Sequence, residues 1–262
     1  MKIGIFDSGL GGLIIAKAIR KHMPAYDYVY LGDTKRVPYG NRSHETVYEF
    51  TKQGIEYLFT KEKCSLVILA CNTASARALR RIQKEYLPKY SPNKKVLGVL
   101  IPSAEEGSMY KKVGVIATRG TVASETFPKE IRKISKNTKV VQNSAPMLVP
   151  IIEEGEYKLA KLFLEKYLEP FKNVDALILG CTHYPILKKE IRKSLPKSVR
   201  IISQDEIIPK KLKEYLRNHT EIENKLSKNK TTKILVTDIT QNVSLLARKW
   251  FGNTKPKLIT LK

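Results

Sequence analysis

Two cysteines stand where a chain can do proton chemistry. Cys71 follows an apolar run, Leu66 to Ala70, and precedes Asn72 and Thr73; Cys181 follows another, Ala176 to Gly180, and precedes Thr182 and His183. Each pattern reads as a buried strand, a tight turn and the start of a helix. A thiol at such a junction faces unpaired backbone N–H groups and the positive end of a helix dipole, which favour the thiolate and can hold an anion. Two thiols on opposite sides of one cleft suit the inversion of an amino-acid α-carbon. That carbon's proton is a very weak acid, so inversion needs a base on one face and an acid on the other. A thiol's pKa lies close enough to neutrality to be tuned to either task. Asn72, Thr73 and Thr182 can hold a carboxylate and the charge that develops on it. The competing reading is two buried structural cysteines; their place at the turn, not inside the strand, weighs against it.

Other residues stand near the same kind of junction. Asp7-Ser8-Gly9 precedes Gly11-Gly12, a turn whose backbone N–H groups can cradle an anion. It lacks the spacing of a dinucleotide or phosphate loop, so a small carboxylate is expected there. Asp7 is either a helix cap or a partner for Cys71. His183, two residues after Cys181, is placed to tune that thiol or relay its proton, or simply to pack. Glu153 reads as the start of a helix, either solvated or facing the cleft. Cys64 reads as structural. The cysteines show no metal-ligand pairing and the four histidines are scattered, so no metal site is expected.

These residues need a scaffold that brings distant strand ends together. Cys71 and Cys181 are 110 positions apart (181 − 71), and Lys2-Ile3-Gly4-Ile5 is echoed by Lys112-Val113-Gly114-Val115 at the same offset (112 − 2). The equal offset favours a duplication with one cysteine in each half. Strands are expected at Lys2–Phe6, Tyr26–Leu31, Leu66–Ala70, Val96–Leu100, Val113–Ala117, Lys139–Gln142, Ala176–Gly180, Val199–Ile202, Lys233–Val236 and Lys257–Leu261. Helical patterns lie between them, including one capped by Ser43 and others over Asp205–Asn218 and Gln241–Trp250. Residues 219–232 read as a polar surface linker. Alternating strands and helices with continuous apolar strands imply an α/β protein with mostly parallel sheets covered on both faces. The expected architecture is two pseudo-symmetric lobes with the site in the cleft between them, residues 1–96 plus 208–262 forming the first and 97–207 the second. Parallel sheets bind ligands at the carboxyl ends of their strands, and those ends carry Asp7, Asp33, Cys71, Thr118 and Cys181.

The chain has 262 residues, 48 Lys+Arg against 25 Asp+Glu, and a formal charge of +23, which raises the question of nucleic acid. The lysines are scattered through polar stretches, so a lysine-rich surface is the preferred reading and nucleic acid is not expected as a partner. No apolar run approaches the roughly 20 residues of a membrane span, the N-terminus shows no signal-peptide pattern, and three widely spaced cysteines make no disulfide framework. A cytoplasmic protein is expected.

The motifs FDSGLGGL at 6–13, GDTKRVPYG at 32–40, ACNTASA at 70–76 and GCTHYP at 180–185 together resemble the cofactor-independent aspartate/glutamate racemase superfamily, and its glutamate racemases in particular. VPIIEEGEY at 149–157 and VGVIATRGT at 113–121 match more loosely. The resemblance runs nearly end to end. It implies that Cys71 takes the proton from D-glutamate and Cys181 from L-glutamate, with Asp7, Glu153 and His183 assisting. It implies substrate contacts from Asp7, Ser8, Pro38, Tyr39, Gly40, Asn72, Thr73, Thr118, Thr121, Thr182 and His183. It also implies no cofactor, a role in supplying D-glutamate for peptidoglycan, and a homodimer in many relatives. Ala145 stands where many relatives have a further cysteine, which is not one of the catalytic pair. The nearest alternative is an aspartate racemase, against which GDTKRVPYG weighs; a Cys-His hydrolase built on Cys181 and His183 would leave Cys71 dispensable.

Overall fold

The computed structural model describes residues 1–261. The chain begins β1 (Lys2–Asp7), α1 (Gly12–His22), β2 (Tyr28–Gly32), α2 (His44–Thr60), β3 (Cys64–Leu69), α3 (Asn72–Arg81), α4 (Leu87–Tyr90), β4 (Lys95–Gly98) and α5 (Leu100–Gly107). It continues β5 (Lys112–Ala117), α6 (Arg119–Ala123), α7 (Thr126–Ile134), β6 (Lys139–Ser144), α8 (Leu148–Glu154), α9 (Tyr157–Leu168), β7 (Ala176–Gly180), α10 (Lys188–Lys193) and β8 (Arg200–Ile202). It ends α11 (Gln204–Asn218), α12 (Thr220–Glu223), β9 (Thr232–Val236), α13 (Gln241–Trp250) and β10 (Lys257–Leu258).

The strands form two sheets, one of six strands ordered β10-β9-β2-β1-β3-β4 and one of four ordered β6-β5-β7-β8. Every pairing is parallel. The residues of β2, β3 and β7 are buried throughout, as continuous apolar strands covered on both faces must be. The block β2-β1-β3-β4 repeats as β6-β5-β7-β8. Ile3 pairs with Leu66 in the first, Val113 with Ala176 in the second, so both partners keep the offset of 110 (113 − 3, 176 − 66). The outer pairings have drifted: Tyr28 and Val140, the partners of Ile3 and Val113, are 112 apart (140 − 28).

Several elements differ from the sequence expectation. The run Val96–Leu100 is a strand only to Gly98, and α5 begins at Leu100 with Pro102 in its first turn. Proline is tolerated there because a first-turn N–H has no helical partner to lose. The apolar run before Glu153 is helical, so Glu153 lies in the last turn of α8 and does not open a helix. Gly155, at φ 76°, closes that helix in the left-handed region. A 3₁₀ turn over Tyr184–Leu187 precedes α10, and the last strand is shorter than expected. Residues 219–232 include α12 and are tied down by buried Asp27, which accepts from Thr231 N (2.8 Å), Thr231 Oγ1 (2.6 Å) and Asn229 Nδ2 (2.8 Å). Among the described residues no helix is long and apolar enough to cross a membrane.

Candidate active site

Cys71 is the N-cap of α3, its Sγ accepting from Ala74 N at 3.4 Å and from the Ser8 hydroxyl at 3.3 Å. Ser8 arrives from the end of β1, the strand beside β3, because parallel strands deliver their carboxyl ends to one edge. The sequence expectation of a favoured thiolate is reversed: burial pushes the Cys71 thiol up to about 12, and Asp7 adds to the rise, outweighing Ser8 and the Ala74 N–H. Asp7 is itself raised by burial, opposed by the positive charge of His183 and by the N–H groups of Gly12 and Gly9. Its Oδ2 accepts from Gly9 N at 3.0 Å and lies 3.4 Å from the Tyr30 hydroxyl, while Oδ1 is buried with no hydrogen-bond partner among the described residues.

Cys181 follows β7, with its Sγ 3.7 Å from His183 Nδ1; the other imidazole nitrogen lies 2.9 Å from Glu153 Oε1. Burial opposes charge on His183, but the hydrogen bonds and negative charges of Cys181 and Glu153 prevail and raise it to about 10. The imidazolium therefore donates to Glu153 on one side and toward the sulfur on the other. The third thiol, Cys64, heads β3, and burial raises it to about 12.

The two halves meet closely around these groups. A Cβ on Gly11 would lie 2.4 Å from the His183 ring and 2.7 Å from Thr182 Oγ1, so only glycine lets the β1 loop approach the Cys181 loop. Thr73 Oγ1 reaches Thr118 Oγ1 at 2.9 Å and Thr121 Oγ1 at 3.2 Å, forming a hydroxyl cluster across the two sheets' strand ends. Gly40 packs on Thr118 and Gly120. Pro38 is exposed, whereas the Tyr39 ring is buried beside Phe6 and Phe50, with its hydroxyl donating to Asp33 Oδ2 at 2.5 Å. Asp33 also accepts from Arg36 and Thr237, which fixes the whole 33–39 turn. Cys71 and Cys181 are each only 6% exposed.

Sequence reasoning missed Tyr30 and Gln204. Tyr30 donates to the Gly9 carbonyl at 2.8 Å beneath Asp7, and Gln204 pairs with the Asn72 amide. The rule that found the other groups, polar residues at strand ends, applied to Ile202 would have pointed to Gln204. Tyr30 was detectable as one of two hydroxyls, with Tyr28, inside an apolar strand.

The sequence profile of the family described as Asp/Glu/Hydantoin racemase matches residues 14–207. A glutamate racemase of Aquifex aeolicus is 39% identical over 266 residues, covering 98% of this chain and 97% of that protein. The crystal structure of glutamate racemase from Francisella tularensis in complex with D-glutamate superposes with a TM-score of 0.89 at 33% identity, covering 99% of this chain and 97% of that one. An aspartate racemase of Picrophilus torridus, 22% identical with a TM-score of 0.59 over 82% of this chain and 94% of that one, shares the fold alone.

Proposed function

This chain belongs to the Asp/Glu/Hydantoin racemase family, and from that premise we propose that it is a glutamate racemase working by two-thiol proton transfer at Cα. One observation carries the mechanism: each of two buried thiols ends a strand of a different sheet and has its own proton-handling neighbours. In the L-to-D direction Cys181 takes the α-proton as thiolate, with His183 and Glu153 holding the charge. The carbanion then collects the proton of Cys71, which its raised pKa keeps available as a thiol. This leaves Cys71 as thiolate and Cys181 as thiol, the starting arrangement for the reverse direction. Asp7 receives the Cys71 proton when D-glutamate is the substrate, a role supported by its unpaired buried oxygen and by the effect of its charge on Cys71.

The substrate carboxylates are held by the N–H groups and side chains of Ser8, Asn72, Thr73, Thr118, Thr121, Thr182 and His183, with Asp7 and the backbone of Pro38 to Gly40 completing the cavity. The helix dipole at the start of α3 favours an anion there. No cofactor is required, since both proton transfers use side chains of the chain. In the cell the product would feed peptidoglycan, from the cytoplasm. The division into lobes 1–96 plus 208–262 and 97–207, and a homodimer, belong to the same reading.

The test is to incubate the protein with L-glutamate in D₂O without added cofactor. Loss of optical activity with deuterium entering Cα is expected, and Cys71→Ser and Cys181→Ser should each abolish racemisation. Folded protein that neither inverts nor exchanges glutamate would sink the assignment. Preferential turnover of aspartate would move it to the neighbouring activity.

A further inference from the structure

We infer that Gln204 is the positioning residue for Asn72 and fixes which edge of that amide meets the substrate. This rests on the reading of Asn72 as a substrate contact. Gln204 opens α11 and is fully buried, as Asn72 nearly is. The amides pair head to head: Asn72 Nδ2 donates to Gln204 Oε1 and Gln204 Nε2 to Asn72 Oδ1, both at 2.8 Å. Such a pair, taken alone, works equally well with both amides reversed. The surroundings remove that ambiguity. Gln204 Nε2 also has Ser103 Oγ at 3.2 Å and the Val99 carbonyl at 3.4 Å. A carbonyl only accepts, and Ser103 gives its one proton to the same carbonyl at 2.9 Å. Only the NH₂ end of Gln204 fits there, so its oxygen must face the Asn72 nitrogen. Asn72 is thereby left with one N–H of fixed direction beside Cys71.

The pair also sits at a structural junction. Val99 and Ser103 lie where the chain leaves β4 for the second sheet, and Gln204 lies where it leaves β8 to return to the first. The orientation of a substrate contact is tied to both connections between the sheets. Losing Gln204 should therefore weaken substrate binding in both directions while sparing proton transfer.

Steady-state kinetics in both directions, from pH 6 to 9, test this with two variants. Gln204→Leu should raise KM for both enantiomers about tenfold, with kcat within about threefold. Gln204→Glu mimics glutamine when protonated but has no donor when ionised, so its KM relative to the unsubstituted protein should climb with pH. A purely structural role would not create that pH dependence. Unchanged KM in Gln204→Leu, or a loss confined to kcat, overturns the inference. If Gln204→Leu does not fold, a flat KM ratio in Gln204→Glu overturns it. If the unsubstituted protein racemises no glutamate, the functional reading itself has failed and the inference falls with it, a result distinct from an active enzyme indifferent to Gln204.

Discussion

Cys71 accepts a hydrogen bond from the Ser8 hydroxyl, whereas Cys181 sits beside an imidazolium that Glu153 holds. This difference predicts unequal effects on the two directions of reaction. His183→Asn should lower the rate of proton removal from L-glutamate by about 10²-fold and affect D-glutamate less, measured as initial rates from each enantiomer. Glu153→Gln removes a charge that raises His183, so the imidazole titration followed by NMR should fall from about 10 toward the ordinary 6.5. The same shift has a stability sign. Between about 6.5 and about 10 the folded chain holds a proton on His183 that the unfolded chain has released. That contribution is full below about 6.5 and is lost as pH rises to about 10. In Glu153→Gln denaturation curves, the loss should finish at a lower pH. The thiols and His183 were legible in the sequence because reactive residue types follow apolar runs. Tyr30 and Gln204 were legible only as polar groups in or after a strand, because what matters about them is a partner 23 or 132 positions away.

The two boundaries that differ from the sequence reading, the strand carried to Leu100 and the helix opened at Glu153, share one cause. Leu100 to Pro102 and Leu148 to Ile152 are short apolar runs, which fit a buried strand and a buried helical turn equally well. Proline in each suggests an ending, but in both helices it lies in the first turn, where it costs nothing. Length and flanking residues decide such cases, and for α8 the decisive residue is Gly155. Its positive φ ends the helix at Glu154, which leaves Glu153 in the last turn, within reach of His183. An added Cβ at Gly155 meets nothing within 4 Å, so Gly155→Ala should cost only the backbone conformational penalty. That is about 1 kcal/mol, read from urea denaturation, with racemisation largely kept. The long strands of both sheets needed no such arbitration, because five or six consecutive buried apolar residues have few other places in an α/β protein.

At the scale of the whole molecule, the duplication was visible as two echoes at one offset, and the β1–β3 and β5–β7 registers preserve it residue for residue. What the offset could not supply was how the halves meet, since that depends on side chains from loops of unequal length. They meet at contacts between strand-end loops, and at one of these neither side can yield cheaply. A Cβ on Gly120 would stand 2.8 Å from the Gly40 carbonyl oxygen, backbone against side chain, beside the Thr73–Thr118–Thr121 hydroxyls. Arg77 holds the far side, donating to the Gly120 carbonyl at 3.1 Å. Gly120→Ala must therefore push the Pro38–Gly40 turn away from the second sheet. A displacement on the order of 1 Å in positioning groups can cost up to about 10²-fold in rate, so kcat/KM should fall by about tenfold or more. Gly155→Ala, a glycine substitution in open space, is the control. If Gly120→Ala keeps full kcat/KM in both directions while folded, the contact between Gly40 and Gly120 does not shape the cavity, and the two halves must be aligned by the Thr73 hydroxyl bonds to Thr118 and Thr121, the approach of Gly11 to His183 and the connections through α5 and α11.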